Sequence, residues 1–224
     1  MKTLRFRELW FVIALVGCAH PYTLDSLGGK SEELNGISLS TATVGRCVFQ
    51  AGYQYSNPNE MLVKVRVMNK EKGAFDVDHS FFSLNGAKET LKISPLPASD
   101  PEKYIRDLKA NAEVLENRTQ MESYQGVEEL GALKGEASDG KIDDAKDAYK
   151  RKRNEAEVAR KQAEGIRARI AVIEPATLRK TTVKTGETAE GALIFKAEFG
   201  ETGVVTLESS LPACPAKISF MLKK

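Results

Sequence analysis

The hydrophobic period changes twice along this chain, and that limits the folds open to it. From Gly36 to Ile93 apolar and polar residues alternate, the two-residue period of half-buried strands. The clearest run is 61–68, where Met61, Val63, Val65 and Val67 point one way and Lys64 and Arg66 the other. Ile37, Leu39 and Val44 open the region, and Cys47, Val48, Phe49, Tyr53 and Tyr55 follow. Shorter apolar pieces lie at 75–77, 81–84 and 91–93. Asn69 to Gly73 reads as a polar turn, and Asn85-Gly86 predicts a hairpin between the last two pieces.

Near Ser99 the period becomes helical. Ser99 or Asp100 can cap a helix with Pro101 at its first position, and Ile105, Leu108, Ala112 and Leu115 recur at three- and four-residue spacing. Residues 119–140, polar and rich in glycine, read as a loop with a short helical turn at 127–133. A long helix is expected over 141–173. Ile142, Tyr149, Ala156, Ala163 and Ile170 fall seven apart, while Ala145, Ala159 and Ile166 fill most intermediate positions and Lys152 breaks them. Asp143, Asp144 and Asp147 near its start and Arg167 and Arg169 near its end match the helix dipole, and Pro175 is the expected stop. Strand-like pieces return at 181–184, 192–199, 204–209 and 218–222, with Gly186, Gly191, Gly200 and Gly203 expected in turns.

Neither β half can close a two-sheet core by itself. The simplest fold is mainly β with an α insertion. Residues 36–98 and 174–224 form one antiparallel β-sandwich, and 99–173 is a helical hairpin inserted in it. Cys47 and Cys214 would staple the halves. In the chain-entropy model a loop this long is worth on the order of 4–5 kcal/mol; the alternative is two buried thiols.

The N-terminus carries an address. Lys2, Arg5 and Arg7 precede an uncharged apolar run from Leu9 to Val16, too short for the roughly 20 residues of a membrane span. The run ends Leu15-Val16-Gly17-Cys18, which resembles the lipobox of bacterial lipoproteins. The resemblance implies cleavage of residues 1–17, diacylation of Cys18, and a polar tether over 18–35. Ala19 after the cysteine implies the outer membrane where a cell has two. The alternatives are an uncleaved anchor or a plain secretion signal.

The whole chain holds 33 Lys+Arg and 31 Asp+Glu; without Lys2, Arg5, Arg7 and Glu8 the two signs balance. That leaves no net basic footprint for nucleic acid.

A second resemblance rests on the alternating valines of 63–69, on Asp78-x-x-x-Phe82-x-Leu84, and on the glycine-spaced stretch 184–195. Together these look like small immunoglobulin-like extracytoplasmic bacterial domains, many of them lipoproteins. The resemblance implies an immunoglobulin-like sandwich with a binding or structural role. It brings no catalytic residues, and residues 100–173 depart from the family.

Asp76, Asp78 and His79 are the one cluster that could ligate a metal, but the spacing fits no tight site and also reads as a polar turn. His20 and His79 are the only histidines, and no nucleophile motif, phosphate loop or zinc spacing accompanies them. No catalysis and no cofactor are expected. The run Lys150, Arg151, Lys152 and Arg153 could meet anionic headgroups or a polyanion, or be a solvated helix face. The small-residue seam of Ala145, Ala156, Ala159 and Ala163 could pack on the first helix or on a partner. The expected role is a lipid-anchored, non-enzymatic envelope protein whose helical insertion contacts another envelope component. The alternative is a small-ligand or metal-ion binding lipoprotein that uses the sandwich loops.

Overall fold

The computed structural model describes residues 23–27, 31–57, 59–131 and 139–223. The signal-like segment and Cys18 lie outside them. The strands run β1 (Thr23–Ser26), β2 (Ser31–Leu34), β3 (Ile37–Val44), β4 (Cys47–Asn57), β5 (Glu60–Asn69), β6 (Phe75–Val77), β7 (Phe82–Gly86) and β8 (Leu96–Pro97). Helices α1 (Pro101–Gly131) and α2 (Asp139–Ala176) follow, then β9 (Thr181–Val183), β10 (Thr188–Lys196), β11 (Gly203–Leu211) and β12 (Cys214–Lys223). The protein is thus mainly β, with two long helices between strands.

One five-stranded sheet has the order β1-β12-β11-β7-β8, the other β10-β5-β4-β3-β2, and β6 pairs with β9 separately. Every paired ladder is antiparallel. Both large sheets contribute to one core: Phe49, Met61, Val63, Val65, Val67 and Phe195 from the second meet Phe82, Leu84, Leu207 and Phe220 from the first. The rings of Phe49 and Phe82 stack with centroids 5.8 Å apart.

The alternation expected in β5 holds, since Met61, Val63, Val65 and Val67 are fully buried. Lys64 points out and pairs with Glu190 of β10 at 2.7 Å. Leu62, also on the outward side, is buried for another reason. With Ala192 and Ile194 of β10 it lies beneath Tyr104, Ile105, Ile170 and Ile173, so the helix bases cover this part of the sheet's outer surface.

Five local expectations change. Part of the expected tether is strand: β1 pairs with the C-terminal β12 and β2 with β3. Asn85-Gly86 makes no hairpin; both residues sit in β7 opposite Thr206 and Val205, and Leu91 forms an isolated bridge with Phe199. Residues 119–131 continue α1 rather than looping. Their polar and glycine content argues against an isolated helix, but α2 supplies the partner: Gly126 lies against Tyr149, where an added Cβ would come within 3.2 Å of the ring. Pro175 falls inside the last turn of α2, which ends at Ala176. A proline there costs little beyond one bond, and the next, Thr177 N–H to Ile173 O, forms at 3.0 Å. Gly191 is in the middle of β10 rather than in a turn. A Cβ on it would meet the Leu178 backbone at 2.5 Å, and Leu178 N–H donates to Ala192 O nearby.

Candidate functional site

The sequence-derived candidates land in different places. Cys18 is outside the described residues. Cys47 and Cys214 form a disulfide with Cα atoms 5.5 Å apart, joining the starts of β4 and β12 across the core.

Asp76 is engaged apart from Asp78 and His79, which contact each other. The Asp76 carboxylate accepts from Thr182 Oγ1 at 2.6 Å across the β6–β9 pair. Asp78 caps a single 3-10 turn at His79–Phe81, accepting from Ser80 N–H at 2.9 Å. That backbone donor holds its carboxyl below the usual aspartate value, with smaller help from the adjacent His79 and from Lys180. His79 Nδ1 is 3.0 Å from the same oxygen. Among the described residues no three His, Cys, Asp or Glu side chains gather as metal ligands.

The basic run is split by its partners. Lys150 pairs with Asp147 at 3.1 Å within α2, and Lys152 with Glu122 of α1 at 2.8 Å. Lys152 broke the heptad seam in sequence; Glu122 across the seam is the reason it can sit there. Arg151 and Arg153 are exposed.

The seam itself is occupied within the chain. Ala156, Ala159 and Ala163 are buried and Ala145 is half-buried. Ala156 O accepts from Thr119 Oγ1 of α1 at 3.5 Å. Small residues let the helix backbones approach closely, and α1 takes up that space. These alanines therefore lie between the two helices, the first of the two placements the sequence left open, with Ala145 only half-buried. Ion pairs brace the hairpin along its length: Lys109–Glu174 at 2.8 Å near its base and Arg167–Glu116 at 2.5 Å further out.

What the hairpin presents outward is a different set. Val114, Met121, Tyr124 and Val127 of α1 are 65%, 61%, 77% and 63% exposed. At 100° per residue Val114, Met121 and Tyr124 share one side of α1, opposite the seam-facing Ala112, Thr119 and Gly126, and Val127 borders it.

At the base, a buried polar joint ties the helices to the sheet. Glu60, the first residue of β5, lies opposite Lys196 of β10. Its carboxylate accepts from the Tyr104 hydroxyl at 2.7 Å and from the Arg169 guanidinium. The Lys196 ammonium lies 4.4 Å from the centroid of the Tyr104 ring, and the Arg169 guanidinium 5.9 Å. Glu60 and Tyr104 are both buried. Burial first, and then the Glu60 carboxylate, push the Tyr104 hydroxyl well above its ordinary pKa. A phenol held neutral as a donor to a carboxylate gives neither a base nor a nucleophile. It anchors α1 to β5, while Arg169 does the same for α2. Sequence reading missed this joint because its members are far apart in the chain and each looks like an ordinary surface residue.

No protein-family model, curated protein or solved structure matches this chain. No helix among the described residues is long and apolar enough to cross a membrane.

Proposed function

We propose that this chain is a lipid-anchored bacterial envelope protein with no enzymatic role. In this reading residues 1–17 are removed and Cys18 is acylated. The two large sheets form an immunoglobulin-like sandwich that serves as scaffold, and the helical hairpin is the element that touches another envelope component. The observation that carries the reading is the hairpin itself. Its base is fixed to the sheet by Glu60, Tyr104 and Arg169, while its outer part displays Val114, Met121, Tyr124 and Val127 to solvent. A helical pair tied down at one end, with exposed apolar side chains among charged ones further out, suits contact rather than core formation. An insertion of this size also exceeds what a connecting loop needs.

The test is mass spectrometry of the protein purified from its own envelope, with chemical crosslinking in cells of the full chain and of a chain lacking 101–176. The expected result is a mature chain beginning at an acylated Cys18, with crosslinked adducts that depend on the hairpin. An unmodified Cys18 would end the anchor reading. Adducts unchanged by the deletion would end the contact role of the hairpin.

A further inference from the structure

Strand register locates where the hairpin leaves the β domain. The Cys47–Cys214 bridge joins the starts of β4 and β12, which marks one end. Asn69, opposite Cys47, is at that end too. Nine residues further along β12 is Lys223, paired with Thr23. Nine residues back along β5 is Glu60, paired with Lys196. At ~3.3 Å per residue both positions lie about 30 Å from the disulfide, so Thr23 and Glu60 share the far end.

The helices run to that same end. Ser99 N–H donates to Ile194 O, and five residues later Tyr104 reaches Glu60 and Lys196. Returning, α2 meets Glu60 at Arg169 and bridges Ala192 at Thr177. Leu108 and Ile166 are the outermost hairpin side chains in the cluster that covers the sheet. Beyond Leu108, α1 continues for 23 residues to Gly131, about 35 Å of helix. The arm therefore overhangs the end of the domain that carries Thr23.

Cys18 precedes Thr23 by five residues, a reach of at most ~17 Å even fully extended. An arm about 35 Å long, leaving from the leashed end, does not fit upright between the domain and the bilayer. Laid along the surface, it fits. We propose that the outer side of α1, with Val114, Met121 and Tyr124 and with Val127 at its border, lies on the bilayer in which Cys18 is anchored, with the first three side chains at headgroup level. The inference rests on the lipid-anchor reading and names the bilayer as the component the hairpin touches. An amphipathic helix lying in the interface buries such apolar side chains, and a tyrosine is at home there, ring toward the acyl region and hydroxyl toward water. Gly126 packs on Tyr149 and Lys152, so α2 covers the seam side of α1, and the exposed Arg151 and Arg153 are level with Tyr124 along the hairpin but on the helix away from the bilayer. Glu128 falls on the same side of α1 as Met121 and Tyr124, and Glu113 borders it, so the attachment is apolar contact working against these two carboxylates.

The test uses the full-length lipidated protein in vesicles of phosphatidylethanolamine and phosphatidylglycerol containing a headgroup nitroxide lipid. Met121→Cys, Tyr124→Cys and, near the disulfide end, Ala74→Cys are each labelled with an environment-sensitive fluorophore. With Cys18 acylated and the other two cysteines bridged, each new thiol is the one available to the label. The expected result is several-fold quenching at 121 and 124 and none at 74. Unquenched labels at 121 and 124 on protein whose Cys18 is shown by mass to be acylated would overturn the inference and leave the anchor standing. Equal quenching at 74 would overturn it as well. An unmodified Cys18 would remove the leash and overturn both readings.

Discussion

Replacing Glu60 with alanine tests the joint that holds the hairpin. Glu60 is 5% exposed, and its carboxylate is shared between Tyr104 and Arg169. Removing one partner of a fully buried charged pair costs about 3–5 kcal/mol, because the other is left without its counter-charge. Arg169 keeps 31% of its side chain in solvent, so water recovers part of that loss. The expectation falls to about 2–3 kcal/mol. At ~2–4 °C per kcal/mol for a chain of this size, the melting point should drop by about 5–10 °C. Tyr104→Phe removes one hydrogen bond to a buried carboxylate and should cost about 1.5–3 kcal/mol. The assay is urea unfolding followed by circular dichroism at a helix-sensitive wavelength, on both single variants and the double. The cycle should return a coupling of about 0.5–3 kcal/mol between the two positions. A loss for Glu60→Ala below ~0.5 kcal/mol, ordinary for a surface change, would refute the argument that this carboxylate is a structural joint.

Three further outcomes follow from the fold. The disulfide closes a sequence separation of 167 residues, so Cys47→Ala/Cys214→Ala should lose about 5 kcal/mol in the chain-entropy model and melt ~10–20 °C lower by calorimetry; an unchanged melting point would contradict this. Gly191→Ala places a methyl 2.5 Å from the Leu178 backbone, which must move; a destabilisation of about 1–3 kcal/mol in urea is expected, and a neutral effect would show that the return from α2 is loosely held. Tyr104 has its pKa raised in the folded state, so its contribution is fully present below the unfolded tyrosine value of about 10 and is lost as pH rises toward the folded value. Urea midpoints should fall above about pH 10 in the wild type and fall less steeply in Tyr104→Phe; parallel curves would argue against that shift.

The order of elements was legible from local pattern alone. A strand's two-residue period and a helix's 3.6-residue period are local properties, so the β–α–β succession, the core side of β5 and the start of α1 were legible. Asp100 Oδ1 does cap α1, accepting from the amides of Glu102 and Lys103. The Cys47–Cys214 pairing was legible as well, because two cysteines apart from Cys18 left one internal bridge.

Features that depend on a distant partner could not be read that way. Residues 119–131 are helical because α2 lies alongside them, Lys152 fits its seam because Glu122 is across from it, and Gly191 is needed because Leu178 comes close. Thr23–Ser26 is a strand because β12, at the other end of the chain, offers its edge. Glu60, Tyr104 and Arg169 become a joint only when a strand and two helices converge, since no local pattern marks residues whose roles come from one another. The direction of the hairpin, set by the register of strands that the helices interrupt, belongs to the same class.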